Sequence, residues 1–239
     1  MKKQLSFLIA LVAIPALTFA QTADEVINKN ITALGGADKL AAVKTVQYDQ
    51  SMNIMGMDMT GKVTSVVGQS IRNDISVMGQ QITTAIDGDK GWAINPMQGG
   101  ATPQALPEDQ VKMQKGNTYV VGSDLATAKM QKYPVELVGK ENFNDKDAFN
   151  LKVTRPEGVA NYYVDATSFQ LLGMKSTVSV QGQSGEVSMK YGNYKTIDGL
   201  NVPSTVEVSS PAMPGPMTMT LSNMAFNGKV DPTIFAMPK

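Results

Sequence analysis

Residues 45 to 54, TVQYDQSMNI, alternate strictly: Val46, Tyr48, Met52 and Ile54 fall on one parity, Thr45, Gln47, Asp49, Ser51 and Asn53 on the other. A period of two is the mark of a strand with one face buried, so this stretch is incompatible with a helix. If Met55-Gly56 is a two-residue turn, Ile54 pairs with Met57, Met52 with Met59 and Tyr48 with Val63, and the next strand continues the same apolar face. A second hairpin around Gly79-Gln80 pairs Val77 with Ile82 and Ile75 with Thr84. To keep Ile71 beside Val67 on the shared face, the link Gly68-Gln69-Ser70 must hold three residues, and a bulge there would curve the sheet. The parity therefore predicts one concave face carrying Val46, Tyr48, Met52, Ile54, Met57, Met59, Val63, Ile75, Val77, Ile82 and Ile86.

The same punctuation runs through most of the chain. In IDGDKGWAINP, Asp87-Gly88-Asp89 reads as a turn, and Trp92 and Ile94 point one way from a short strand ended by Pro96. Between Met97 and Tyr133 the strand pattern is lost. Gly99-Gly100, Pro103 and Pro107 make a loop, PEDQVKMQKG reads as a helix entered at Pro107, and SDLATAKMQKY as one capped by Ser123 or Asp124. Strands follow near 134–140, 147–154, 159–165, 169–181, 186–194, 202–209 and 217–226, joined by short turns, which means an antiparallel meander. Ahead of them all, Thr22 and Glu25 stand at capping-box spacing before a helical stripe of Val26, Ile27, Ile31 and Leu34 that stops at Gly35-Gly36. A short helical turn, ADKLAAV, follows it. The expected fold class is mainly β (α+β), a strongly curved antiparallel sheet covered on its concave side by helices.

Composition narrows the function. Residues 1–20 read as a leader: Lys2 and Lys3, an apolar run from Leu5 to Leu17, and the cleavage site Thr18-Phe19-Ala20, so a single mature domain of residues 21–239 is expected to be exported. Without Lys2 and Lys3 the chain has 19 basic and 21 acidic residues, a balance that argues against a nucleic-acid partner. The absence of histidine and cysteine excludes histidine-based triads and His or Cys metal sites, and no carboxylate pair stands out by spacing. Asp87 and Asp89 lack the further oxygen ligands of a calcium loop. No enzyme activity, cofactor or metal is expected on these grounds.

Met52, Met55, Met57 and Met59 then admit three readings: ordinary core, a pliable wall for varied apolar ligands, or thioether ligands for Cu(I). The parity sends Met52, Met57 and Met59 inward beside Ile54 and Tyr48, where an apolar role already accounts for them. Met55, in the turn, is left over. So is Met213, between prolines in SSPAMPGPMTM, which reads as a rigid loop or as a point of contact with a membrane or partner.

The helix ending at Gly35-Gly36, together with DGDKGWAINP, VELVGKENF, YYVDATSFQLLGMK, YKTIDGLNVPSTVEV and NMAFNGKVDPTIFAMP, occurs in an order that resembles the LolA/LolB-like periplasmic lipoprotein carriers and their sorting-protein relatives. The resemblance implies a half-barrel of about eleven antiparallel strands whose concave apolar face, lidded by helices, holds acyl chains. The candidate cavity residues are then the concave set above with Trp92 and Ile94 added. The implied partners are lipid or lipoprotein acyl chains and transient membrane-protein donors and acceptors, met in the periplasm by a monomer. One departure stands out. The carriers have an arginine at the start of the third strand that contacts the lid; here that stretch is Gly68-Gln69-Ser70, and Arg72 falls on the convex face. A structural or partner-binding module on the same fold is the alternative.

Overall fold

The computed structural model describes residues 21–54, 56–180, 183–211, 213 and 215–238; the leader and Met55 lie outside them. Helix α1 (Ala23–Leu34) opens with the capping box: Glu25 N donates to Thr22 Oγ1 at 3.2 Å, and Thr22 N donates to Glu25 Oε2 at 3.0 Å. It ends at Gly35, whose φ of 126° and 2.4 Å approach of a would-be Cβ to the Gly199 carbonyl leave room for glycine alone. Helix α2 (Ala37–Ala42) leads into the first strand.

The strands are β1 (Thr45–Ile54), β2 (Met57–Val66), β3 (Ser70–Val77), β4 (Gln80–Asp87), β5 (Lys90–Asn95) and β6 (Gly100–Ala105). Helices α3 (Glu108–Lys115) and α4 (Asp124–Met130) come next. They are followed by β7 (Val135–Phe143), β8 (Lys146–Arg155), β9 (Gly158–Asp165), β10 (Leu171–Val180) and β11 (Gln183–Gly192), then β12 (Lys195–Ile197), β13 (Leu200–Val202), β14 (Thr205–Ser209) and β15 (Met217–Phe226). Thirteen strands form one antiparallel sheet in the order β6-β5-β4-β3-β2-β1-β15-β14-β11-β10-β9-β8-β7, and β12-β13 is a separate ribbon. The last strand inserts beside the first, so the two ends of the chain join the two halves of the sheet. The sheet is unclosed, with β6 and β7 as its edges.

The observed register matches the expected one in the first hairpin: Ile54 pairs with Met57, Met52 with Met59 and Tyr48 with Val63. In the second, the turn is Met78-Gly79 rather than Gly79-Gln80, which pairs Val77 with Gln80 and Ile75 with Ile82. Both turn residues have positive φ, 50° for Met78 and 76° for Gly79, a conformation methionine seldom takes. The register slips by two residues, so every side chain keeps its face. Between β2 and β3 the three-residue link is Val67-Gly68-Gln69 rather than Gly68-Gln69-Ser70; Ile71 keeps the inner parity but lies opposite Ser65, not beside Val67, and the pairing there is unbroken and contains no bulge. Register breaks fall instead at Gln47/Asp49, Ala93/Asn95, Leu137/Gly139 and Leu171/Gly173, where they bend the sheet.

Two further expectations are corrected. β6 lies within the stretch read as loop; Pro103 is tolerated because β6 is an edge strand, free to lack one donor. The strand expected at 202–209 is broken at Pro203-Ser204 into β13 and β14.

The helices lie on the inner face. Val26 and Ile27 of α1 and Leu125 and Ala128 of α4 pack on Phe149, Leu151, Val153, Tyr162 and Met174 of β8 to β10. Val111 of α3 packs on Val63, Ile71 and Ile86 of β2 to β4. Leu34, Val43 and Val120 meet Val46, Leu200, Val202 and Phe226 at the base of β1 and β15.

Candidate functional site

Between these packed zones the inner face is not filled. A cavity of about 780 Å³ spans β4, β3, β2, β1, β15, β14, β11 and β9 and is roofed by the segment from Lys112 to Tyr133. That volume falls within the roughly 300–1,000 Å³ of small-molecule sites. Its floor is largely apolar: Met52, Val63, Ile71, Ile75, Met189, Val206, Val208 and Met219. The floor follows from register, since Met52 pairs with Met219, Met219 with Val206, and Val208 with Met189. These cross-strand neighbours share a face and lie side by side.

The roof is firmly seated at α4, through Leu125 and Ala128, and lightly held at α3. In α3 only Val111 is buried, while Met113 is 66% exposed. Lys115 forms an ion pair with Asp89 across to the β4–β5 turn, and Lys112 pairs with Glu108 at 2.6 Å within the helix. Tyr119 lies against Gly68, and its hydroxyl accepts from Gln131 Nε2 at 2.9 Å. Ser123 Oγ donates to the Val120 carbonyl at 2.7 Å and leaves the α4 N-terminus without a side-chain cap.

Of the residues singled out in the sequence, Tyr48, Met52, Val63 and Ile75 line the cavity directly. Val46 shares their parity but is buried beneath α2 and β13, and Ile86 is buried beneath Val111. Ile54, Met57, Met59, Val77 and Ile82 share the face and lie toward the hairpin tips; Met57 is 40% exposed there. Met213, in the β14–β15 loop, is half-buried. Burial around the Tyr48 phenol pushes its pKa up to about 12, so it remains a neutral hydroxyl at the cavity wall.

Trp92 and Ile94 are corrections. Asp87 pairs with Lys90 across the two-residue turn Gly88-Asp89, so Gly91 falls opposite Ile86 on the inner face, and Trp92 opposite Ala85 on the outer one. Ile94 follows Trp92 outward, opposite Thr83. Gly91 is where the inner side has no room: a Cβ there would meet Ile86 Cδ1 at 2.6 Å and Val111 Cγ2 at 3.0 Å. Trp92 is instead core of the convex side, its Nε1 donating to the Phe235 carbonyl at 2.7 Å. Arg72 is convex too, as expected. It binds Asp74 through Nε at 2.7 Å and Nη2 at 3.0 Å, and donates from Nη1 to the Ile234 carbonyl at 2.9 Å. At the start of β3, Gly68 and Gln69 face the cavity while Ser70 Oγ donates to Asp87 Oδ1 at 2.7 Å.

One end of the cavity is polar, and none of its residues was singled out in the sequence. Asp124, Arg155, Glu157, Tyr162 and Tyr191 all line the wall beside β8 to β11. Arg155 Nη1 donates to the Tyr162 hydroxyl at 3.0 Å, and Arg155 Nε lies 3.4 Å from Glu157 Oε1. The Tyr191 hydroxyl lies 3.4 Å from Asp124 Oδ2. Enclosure by protein raises the Asp124 pKa above the usual carboxylate value, against the lowering pull of its own backbone N–H, Arg155 and Tyr191. The sequence did carry a signal: Phe149, Leu151 and Val153 set the inner parity of β8, and Arg155 occupies the next inward position.

No protein-family profile matches this chain, and no curated protein does either. Solved structures do. A LolA superfamily protein from Nitrosomonas europaea superposes with a TM-score of 0.58 at 17% identity, covering 91% of this chain and 98% of the other. A DUF1329 family protein from Desulfovibrio piger gives 0.60 at 13% identity over 91% and 98%. A domain described as an outer-membrane lipoprotein-sorting protein from Vibrio parahaemolyticus gives 0.56 at 13% identity over 88% and 94%. The chain therefore has the LolA-like fold, an open antiparallel half-barrel with its helices on the concave side.

Proposed function

We propose that the protein is an exported carrier that shelters acyl chains of lipids or lipoproteins in its concave cavity and passes them between membrane-associated donors and acceptors in the periplasm. The observation that supports this most is the unfilled inner face: an apolar floor shared by six strands, beneath a roof that one buried valine holds in α3. A well-packed domain does not leave such space without a reason in function. The energetics give the reason. At ~0.8 kcal/mol per buried CH₂, a sixteen-carbon chain loses roughly 12 kcal/mol of gross stabilisation when it leaves a bilayer unprotected. A floor of Val, Ile and Met replaces that environment, and methionine adapts to chains of different length. The fold shared with the lipoprotein-sorting domain agrees with this reading.

One observation favours a second reading. Met59, Met52 and Met219 occupy adjacent positions on β2, β1 and β15, a row of three thioethers of the kind Cu(I) accepts. The same row continues into Val206, and Met52 and Met219 belong to the cavity floor, so an apolar role explains it without metal.

Native mass spectrometry of the protein recovered from its own exported compartment tests the carrier reading. Bound species with acyl-chain masses are expected. A spectrum of bare polypeptide only, under conditions that preserve a control lipid carrier's cargo, would count against it.

A further inference from the structure

The carrier reading says where a hydrocarbon chain would lie; the polar end of the cavity says what the chain is attached to, and this inference rests on that reading. Five polar side chains converge on one end of the cavity, beside the Met and Val of β11, β14 and β15: Asp124 from α4, Arg155 from β8, Glu157 from the β8–β9 turn, Tyr162 from β9 and Tyr191 from β11. They satisfy one another only in part. Arg155 Nε is buried and makes no hydrogen bond, with only the 3.4 Å approach of Glu157 beside it. Asp124 has no ion pair within 4 Å among the described residues, and its one side-chain neighbour of hydrogen-bonding type is Tyr191 at a long 3.4 Å. A buried guanidinium N–H without an acceptor costs stability, and the Asp124 carboxyl beside it, held by its own backbone N–H and a long contact to Tyr191, keeps acceptor capacity to spare.

We propose that this cluster is a head-group site for a neutral acyl lipid, one that presents a carbonyl oxygen to Arg155 next to an N–H or O–H donor for Asp124. An acyl amide and a monoacylglycerol both have this chemistry. The arrangement disfavours a phosphate head: among the described residues Arg155 is the only cation at this end of the lining, and it already faces Glu157, so two carboxyl groups flank any anion placed there. The cavity's lysines, Lys112 and Lys115, belong to α3 at the opposite side, over β2 to β4, where each is engaged with Glu108 or Asp89. A bare hydrocarbon is disfavoured for the complementary reason, that it would leave Arg155 Nε without a hydrogen bond and Asp124 with only its long contact to Tyr191 and its own backbone N–H. The apolar floor from Tyr191 and Met189 through Val206 to Met219 and Met52 then takes the chain away from the head.

The test is competition against a fluorescent acyl probe on the purified protein, with ligands of one chain length: hexadecane, hexadecanamide, monohexadecanoylglycerol and the corresponding lysophosphatidate. Hexadecanamide, monohexadecanoylglycerol or both should displace the probe at roughly ten-fold lower concentration than hexadecane or lysophosphatidate, the scale of one hydrogen bond to a charged group. Which of the two wins identifies the source of the shared chemistry. In Asp124→Ala that preference should collapse while hexadecane displacement stays within two- to three-fold, and Asp124→Asn, which keeps a neutral donor and acceptor, should restore it. Arg155→Met should act like Asp124→Ala if the protein folds; Asp124→Ala carries the test if it does not. Equal displacement by all four ligands overturns the head-group site and leaves the carrier reading standing. Preference for lysophosphatidate overturns it as well. If no ligand and no probe binds, the carrier reading falls and takes this inference with it.

Discussion

Val111→Ala isolates the roof from the rest of the fold. Val111 is 2% exposed and is the one buried side chain of α3, seated on Val63, Ile71 and Ile86. The ion pairs that accompany it are solvent-exposed and add little. Removing two methyl groups at ~0.8 kcal/mol each, with a small residual void, weakens this seat by about 1.5 to 2 kcal/mol. Because the seat is local, the loss falls on opening of α3 and not on global unfolding. Amide hydrogen exchange across 108–118 should therefore speed up roughly 10- to 30-fold, while β8 to β10 exchange as before. Dissociation of a bound acyl probe should quicken in parallel. Unchanged exchange in 108–118 would show that α3 is held by something other than Val111. Faster exchange with unchanged probe release would show that α3 does not gate the cavity.

Other predictions concern the convex side and the methionines. Trp92→Phe keeps an aromatic ring but removes the donor to the Phe235 carbonyl and part of the buried indole volume, so at least about 1–2 kcal/mol of stability should go by chemical denaturation while acyl-probe affinity stays unchanged; a large loss of affinity would return Trp92 to the cavity wall. Burial alone would raise the Asp74 pKa, but hydrogen bonds from Arg72, Thr83 and Gln81 and the Arg72 charge hold it below the usual carboxylate value. A lowered folded-state pKa stabilises above the unfolded value of about 3.9 and is lost as pH falls through the folded one. Acid unfolding in Arg72→Met should consequently begin at higher pH than in wild type, and an unshifted acid midpoint would contradict the role given to this pair. Anaerobic Cu(I) titration should give no tighter binding than in the combined Met52→Leu, Met59→Leu, Met219→Leu variant; tight binding lost in that variant would promote the metal reading.

How much of this was legible beforehand depended on whether parity alone decided the matter. Met52, Met57 and Met59 follow from a two-residue turn, and parity put them on the right face. It did so even in β3–β4, where the turn was misplaced, because Met78 takes a left-handed backbone that its residue type gives no hint of. Trp92 failed for the opposite reason. The turn read as Asp87-Gly88-Asp89 is one residue too long and would set Trp92 opposite Thr84 on the inner face; the two-residue turn Gly88-Asp89 sets it opposite Ala85 on the outer one. Strand β6 was hidden by Pro103, which is harmless only at an edge, and edge position is a tertiary fact. The polar end of the cavity draws on α4, β8, the β8–β9 turn, β9 and β11, and no spacing in sequence joins Asp124 to Tyr191. Arg155 alone, an arginine on an apolar parity, could have been noticed.

The carrier account stands or falls on occupancy of the inner face. A fluorescent fatty-acyl probe should bind the delipidated protein at micromolar concentration. Binding should be abolished in folded Ile75→Glu and Val208→Glu, which place an unpaired charge on the cavity floor, and kept in Thr60→Lys, which points outward. Met59→Ala should bind within a few fold of wild type despite some loss of stability. No uptake by the folded wild type, or equal uptake by folded inner-face variants, would contradict the account and leave a structural or partner-binding module as the better description.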